Sequence, residues 1–318
     1  MENDSIDQSE VSKHARLVEV PGIPFREPHV WRIRSDHFPA SSYIIESDSA
    51  LRILLEPWIV GAQLAYLARS SSVDFLRTAF AVSREFRDSN LENITEVVPL
   101  AGALYYNVAE AFEQVFGETV STCFIGAKRH LTPSGWVTSL AYENFEAMPA
   151  KPVILIGDTI ATGGTSESII QSVLDHRGDA KAVIVYAIAG GVRGAVRLKS
   201  LADRVDVPFY LFYSNAAFGV EDNGTDMPWL HPGTICSPEV RNRAIEAYGP
   251  ELGRRWCSVW DWGDRAKNPV RHLEQLRARC ERELAAGVSG NTRRILDKVT
   301  EETARALDRI RRPLSPVA

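Results

Sequence analysis

Residues 153 to 165 read Val-Ile-Leu-Ile-Gly-Asp-Thr-Ile-Ala-Thr-Gly-Gly-Thr. An apolar run, an acid and a Thr-Gly-Gly-Thr turn in that order could hold a phosphorylated sugar. Gly163 and Gly164 would let a ligand approach the backbone, and Thr162 and Thr165 would add hydroxyl donors. A helix starting at the turn would offer unpaired N–H groups and the positive end of its dipole. Asp158, one turn upstream, suits sugar hydroxyls. Phosphate plus sugar hydroxyls suggests a ribose-5-phosphate group. A strand–Gly–Gly–helix junction is also a common tight turn with no ligand, but a turn by itself needs neither the acid nor the two threonines. The stretch has no Gly-x-x-x-x-Gly-Lys-Ser/Thr spacing, and no Gly-x-Gly-x-x-Gly follows a strand, so triphosphatases and simple dinucleotide binders fall in rank.

The elements that would position this turn follow from periodicity. Val153 to Ile156 reads as a buried parallel strand, and Ile169, Ile170, Val173 and Leu174 share one face of the helix after it. Strands are also expected at 97–101, Cys123 to Ala127, Ala182 to Ile188 and Phe209 to Phe212, with helices over Leu104 to Phe116 and Val192 to Leu201. Such alternation argues a doubly wound, mostly parallel α/β sheet whose ligands sit at the carboxyl ends of the strands. Two covering helices are expected, from about Pro57 to Leu67 and from Val73 to Phe86. Residues 1 to about 17 read as polar and flexible, and Pro21, Pro24 and Pro28 mark an extended arm.

The segment between Arg129 and Pro149 reads as a mobile two-stranded hood, with a plain surface hairpin as the alternative. Four tryptophans, Trp229, Trp256, Trp260 and Trp262, either line a pocket for a flat heterocycle or pack a local insertion onto the body. His130 and His231 are read as ordinary loop histidines. The four cysteines lack metal-ligand spacing and read as reduced packing thiols. With 36 basic and 41 acidic residues the net charge is −5, which offers no general electrostatic case for a nucleic-acid partner. Arginines at 265–311 are interleaved with glutamates, as on a solvated, salt-bridged helix, although a partner-binding or RNA-binding helix would share that pattern. No membrane span or secretory leader is expected, so a cytoplasmic protein is the expectation.

Several blocks carry a family resemblance. The segment from Gly157 to Thr165 resembles the phosphoribosyl-pyrophosphate (PRPP) motif of type I phosphoribosyltransferases, and Ile160-Ala161-Thr162-Gly163-Gly164 is similar to the uracil phosphoribosyltransferase version. Val98-Pro99-Leu100-Ala101-Gly102-Ala103-Leu104 resembles that family's pyrophosphate loop, and Ile125-Gly126-Ala127-Lys128-Arg129 its Gly-Leu-Tyr-Arg segment. Ala189 to Leu198 is similar to the strand-to-helix step after the cradle, and Asp261-Trp262-Gly263-Asp264-Arg265 to the C-terminal Asp-Ala-Gly-Asp-Arg. There are departures. Gly157 stands where the family has its first acid, Leu100 and Ala101 replace the arginine of a shortened pyrophosphate loop, and about two dozen extra residues separate Pro232-Gly233 from Asp261.

The resemblance implies the type I phosphoribosyltransferase fold with a flexible hood and added N- and C-terminal segments. The implied units are an arm at 1–45, a catalytic domain at 46–266 with an insertion at about 234–260, and a charged helical extension at 267–318. It implies transfer of phosphoribosyl from PRPP to a nucleobase, uracil-like or another nitrogen heterocycle, with release of pyrophosphate. The alternative is a PRPP- or nucleotide-binding regulator on the same fold. Asp158, Thr159, Ala161, Thr162, Gly163, Gly164 and Thr165 would bind the phosphoribosyl group. Leu100, Ala101, Gly102, Lys128 and Arg129 would bind pyrophosphate, and Asp158 and Arg129 would be catalytic. Trp262, Gly263 and Asp261 would read the base, with turn capping the alternative role for Asp261 and Asp264. Mg²⁺ would arrive with PRPP and touch Asp261 through water. The expected partners are small molecules and a second copy of the chain, and the insertion is expected beside the active site.

Overall fold

The computed structural model describes residues 6–22, 28–100, 103–132, 135–257 and 262–311. The chain opens with α1 (Gln8–His14), β1 (Arg16–Glu19), β2 (His29–Arg34) and β3 (Ser41–Glu46), followed by α2 (Asp48–Leu55), α3 (Gly61–Val82) and α4 (Arg84–Arg87). Then come β4 (Ile94–Leu100), a 3₁₀ turn at Ala103–Tyr106, α5 (Val108–Phe116), β5 (Ser121–Thr132) and β6 (Gly135–Asn144). Next are β7 (Val153–Gly157), α6 (Gly164–His176), β8 (Ala182–Ala187), β9 (Gly190–Gly191), α7 (Val192–Ala202), β10 (Phe209–Ser214) and β11 (Ala216–Phe218). The chain finishes with β12 (Ile235–Cys236), α8 (Pro238–Leu252), α9 (Trp262–Lys267), α10 (Pro269–Ala285) and α11 (Gly290–Arg311).

Nine strands form one sheet in the order β1-β2-β3-β10-β8-β7-β4-β5-β6. The six from β3 to β5 pair in parallel, and β1, β2 and β6 add antiparallel edges. Both faces are covered, which is why β7, β8 and β10 are buried along their whole length rather than alternately. Leu155, Ile184, Tyr186 and Phe212 point into a core shared with α2, α3 and α5. Ile154, Ile156, Val183, Val185 and Leu211 enter the opposite core, against Ile169, Ile170, Ala195 and Leu198 of α6 and α7. No helix among the described residues is long and apolar enough to cross a membrane, and no disulfide joins the four cysteines.

Several local expectations are corrected. The two covering helices are one continuous helix, α3, that starts at Gly61 and not at Pro57. The polar stretch at Ser71 and Ser72 does not break it, because both serines are buried and bonded: Ser71 to the Tyr186 hydroxyl, and Ser72 Oγ to the Tyr106 carbonyl at 2.7 Å. The helix expected from Leu104 begins only at Val108, after Asn107 takes a left-handed φ of 52°. Of the stretch from 1 to about 17, expected to be flexible, residues 8–17 lie in α1 (Gln8–His14) and β1 (Arg16–Glu19). Asp7 caps α1, and the Gln8 amide donates to the Val220 carbonyl and accepts from the Val220 N–H, both at 2.8 Å. Those bonds span 212 positions of sequence, so no local pattern announces them. Near the other end, β12 pairs with β11, and α8 lies with the first-face helices, its Tyr248 hydroxyl donating to the Leu55 carbonyl. Helices α10 and α11 bury Leu273, Leu276, Leu296 and Val299 and carry ion pairs such as Arg277–Glu281 and Arg305–Glu301 on their outer side.

One buried acid links this architecture to pH. Glu96 on β4 is 5% exposed, and burial, reinforced by the nearby Glu110, raises its pKa from 4.5 to about 8 against the opposing bond from the Ala109 amide. The native state therefore holds this proton more tightly than the unfolded chain. The stabilisation is complete below the unfolded value and is lost as pH rises towards 8, with a slope of at most about 1.4 kcal/mol per pH unit. Buried His272, whose pKa is lowered from 6.5 to about 4, opposes this below 6.5, so denaturant titrations should show stability falling with pH only above that value, and Glu96→Gln should remove that fall.

Candidate functional site

Taken in chain order, β4, β5, β7, β8 and β10 of the six parallel strands lie in the sheet as second-first-third-fourth-fifth. The order reverses between β4 and β7. Loops leave these neighbours for opposite faces, and such a switch point opens a crevice at the carboxyl ends of the strands. The register shows the split: β4 and β7 pair only to Glu96–Leu155, whereas β4 pairs with β5 as far as Leu100–Gly126 and β7 with β8 as far as Gly157–Tyr186. Residues 158–165 leave β7 at this crevice.

Close backbone packing shapes the turn. The Ile160 N–H donates to the Ala189 carbonyl at 3.1 Å, the Ile160 carbonyl accepts from Gly191 at 2.6 Å, and the Ala161 carbonyl accepts from Gly194 at 3.0 Å. Gly163 precedes α6 at a left-handed φ of 80°, and a Cβ there would lie 3.0 Å from the Gly194 Cα. A Cβ on Gly194 would come within 2.5 Å of Ile160 Cγ2. Only glycine fits both positions. With the carbonyls tied inward, the N–H groups of Thr162, Gly163, Gly164, Thr165 and Ser166 meet no acceptor among the described residues. A run of unpaired amides at a helix start is an anion-binding arrangement.

Asp158 is half-buried at the mouth of the crevice; its N–H donates to the Tyr186 carbonyl and its Oδ1 accepts from the Thr159 amide at 2.8 Å. Tyr106 explains why residue 157 is glycine. Its buried ring stands 3.0 Å from where a Cβ on Gly157 would be, and its hydroxyl lies 3.3 Å from Thr159 Oγ1 and accepts from the Ile188 N–H at 3.2 Å. Burial, with the Asp158 charge adding to it, keeps that phenol protonated. The hood is the β5–β6 hairpin, bent by a register shift at Gly126/Ala127. It rests on α6: Thr138 Oγ1 is 3.3 Å from Thr165 Oγ1, and Ser172 donates to Glu143.

The other expected residues fare differently. Leu100 ends β4 at the crevice, and exposed Lys128 lies on β5 opposite Ser139. The Arg129 backbone pairs with Thr138, the residue that touches the cradle. Ala101, Gly102, Trp260 and Asp261 lie outside the described residues, as do the side chains of Arg129 and Trp262. Gly263 falls within α9. Trp229 and Trp256 are both buried, Trp229 donating to the Leu54 carbonyl at 3.3 Å and Trp256 lying beneath the Arg279 guanidinium at 4.6 Å. They pack the segment onto the body. His130 bonds Ser139 across the hood at 2.6 Å, and His231 Nδ1 accepts from the Gly233 amide at 2.9 Å, so both have structural partners. Sequence reasoning missed Tyr106 and Thr138; the Gly190-Gly191-Val192-Arg193-Gly194 spacing was the visible signal for the close packing under the turn.

No group of three or more His, Cys, Asp or Glu side chains among the described residues could hold a metal ion.

No protein-family model and no curated protein sequence matches the chain. Among solved structures it is similar to the AQ2163 protein of Aquifex aeolicus, at 18% identity over 57% of this chain and 91% of that one, with a TM-score of 0.42. It is also similar to L. donovani hypoxanthine-guanine phosphoribosyl transferase, at 14% identity over 49% and 82% of the two chains and a TM-score of 0.34. Adenine phosphoribosyl transferase from Trypanosoma brucei gives 16% identity over 55% and 84%, with a TM-score of 0.35. Superpositions this loose assign no activity. The strand order and the cradle speak for themselves.

The Asp261-to-Arg265 block has a structural role at its last residue. Arg265 is fully buried and donates to the carbonyls of Ile53, Glu56 and Ile59 at 3.0 to 3.2 Å, closing the end of α2 and the entry to α3. Burial lowers its pKa to about 10, well above neutral pH. Arg265→Ala should destabilise the protein by on the order of 3 kcal/mol, since three buried acceptors lose their donor. Urea unfolding at neutral pH measures it.

Proposed function

We propose that this protein transfers the phosphoribosyl group of PRPP to a nucleobase or related nitrogen heterocycle, with Mg²⁺ bound to the substrate, releasing pyrophosphate. The supporting observation is the run of five acceptor-less amides beside Asp158, at the carboxyl ends of strands that flank a switch point. A phosphate on those amides holds one end of a ribose, and Asp158 lies where the sugar hydroxyls would follow.

In the reaction the C1–oxygen bond of PRPP breaks, and pyrophosphate leaves with the bonding electrons. A base nitrogen then supplies the pair that forms the new bond to C1, and its proton passes to solvent. The chain's contribution is positional and electrostatic. The 162–166 amides anchor the phosphate far from C1, and Asp158 fixes the hydroxyls and places negative charge near the sugar as it becomes cationic. Leu100 at the end of β4, Ala101 and Gly102 next to it in sequence, and Lys128 and Arg129 of the β5–β6 hairpin are proposed to receive the departing pyrophosphate. Mg²⁺ bound with PRPP would supply charge neutralisation for the departing phosphates. Closing the hood would keep water from the sugar cation. Asp261, Trp262 and Gly263 are proposed to read the base, uracil-like rings among the candidates, and a homodimer is the proposed assembly.

A second reading, a PRPP-binding regulator with little turnover, draws on Tyr106 filling the space over Gly157 and on the loop lacking an arginine at Leu100 and Ala101. Incubation with PRPP, Mg²⁺ and a panel of bases separates the two. Pyrophosphate release with at least one base supports transfer, and Asp158→Asn should then lower turnover by about a hundredfold or more. PRPP binding by calorimetry without release from any base supports the regulator, and no PRPP binding refutes both.

A further inference from the structure

We infer that Arg197 is a direct ligand of the terminal phosphate, a third element of the cradle beside the amides and the threonine hydroxyls. The inference rests on the phosphoribosyl reading of that cradle. Arg197 lies on α7, three residues past Gly194, and reaches back over the start of α6. Its Cβ is 3.4 Å, and its Nη1 2.8 Å, from the points where side chains on Gly163 and Gly164 would begin. Glycine at 164 thus leaves room for a guanidinium against the first turn of the helix.

Electrostatics make that position costly without an anion. The start of a helix carries about half a positive charge, and a cation there is repelled. Glu167 offers partial relief: its Oε2 lies 3.2 Å from Arg197 Nε, but its Oε1 accepts from Arg204 Nη2 at 2.8 Å, so one carboxylate serves two guanidinium groups. Glu167 engages the Nε edge of Arg197, while Nη1 faces Gly164. A phosphate seated on the amides of Gly164 and Thr165 would meet that edge through charge-assisted hydrogen bonds. On the hood side, Thr138 approaches Thr165, so the phosphate would sit between α7 and the hairpin. Such a site favours a phosphomonoester over a neutral sugar.

Calorimetry with ribose 5-phosphate as the probe tests this, using the full chain and three variants whose folding is checked by thermal melts. Arg197→Gln should weaken binding about 10- to 100-fold, the range for a lost hydrogen bond to a charged group. Arg204→Gln, which removes a nearby and more exposed charge, should stay within about threefold. Arg197→Lys, which keeps the charge but loses the fork, should also bind more weakly than the native protein, and it stands in if the glutamine variant does not fold. Native-like affinity in the Arg197 variants, or equal losses at Arg197 and Arg204, would overturn the role of Arg197 and leave the phosphoribosyl reading intact. Failure of the native protein to bind ribose 5-phosphate would instead overturn both.

Discussion

Two glycines in contact, Gly163 and Gly194, set the position of everything that could bind a ligand here. A side chain on Gly163 would press on the Gly194 backbone at 3.0 Å, and one on Gly194 would meet Ile160 Cγ2 at 2.5 Å and the Ala161 carbonyl at 3.0 Å. The contact brings the turn after β7 down onto the start of α7, where Gly191 and Gly194 take up the carbonyls of Ile160 and Ala161. The amides that follow, at the open start of α6, meet no acceptor among the described residues. Unpaired donors in a partly covered crevice carry a free-energy penalty unless water or an anion meets them. The ligand-binding potential of the site is thus a by-product of how tightly two adjacent βα turns pack.

The sheet supplies the second half of the arrangement. Because β7 and β4 neighbour each other while their following helices cover opposite faces, the end of β4 comes beside the cradle without occluding it. The β5–β6 hairpin then extends past the sheet and leans on α6 through Thr138 and Glu143. One end of a ligand would meet the α6 amides, and the other would meet the end of β4 and the hood. Tyr106 occupies the floor between them. Its ring replaces any side chain at 157, and its hydroxyl ties Thr159 to the Ile188 backbone, so rigidity is gained where an acid is absent.

Outside the crevice, chemistry-bearing residue types mostly serve packing. Arg265 closes a helix end, Trp229 and Trp256 seal the segment around α8, and Gln8 locks the N-terminal helix to Val220. Arg265, Trp229 and Gln8 are polar or amphipathic groups that bond backbone carbonyls or amides far away in sequence, whereas Trp256 is held by burial and by the Arg279 guanidinium over its ring. A buried polar group must find such a partner, and when it does it becomes part of the core.

The sequence by itself determined the parallel α/β alternation and the cradle's place at a strand end. Both follow from local rules: continuous apolar runs mark strands buried on two faces, and Gly-Gly before an amphipathic stretch marks a helix start with open amides. It also showed that Gly157 and Leu100 depart from the pattern they resemble, although not why. Only the tertiary structure decided that α3 runs unbroken through Ser71 and Ser72, that residues 8–19 are ordered, that two tryptophans are core, and that Tyr106, Thr138 and Arg197 gather around the turn. Those outcomes depend on contacts between residues tens to hundreds of positions apart. Periodicity and spacing report the preferences of neighbours along the chain, and cannot report which distant group will fill a gap or satisfy a hydroxyl.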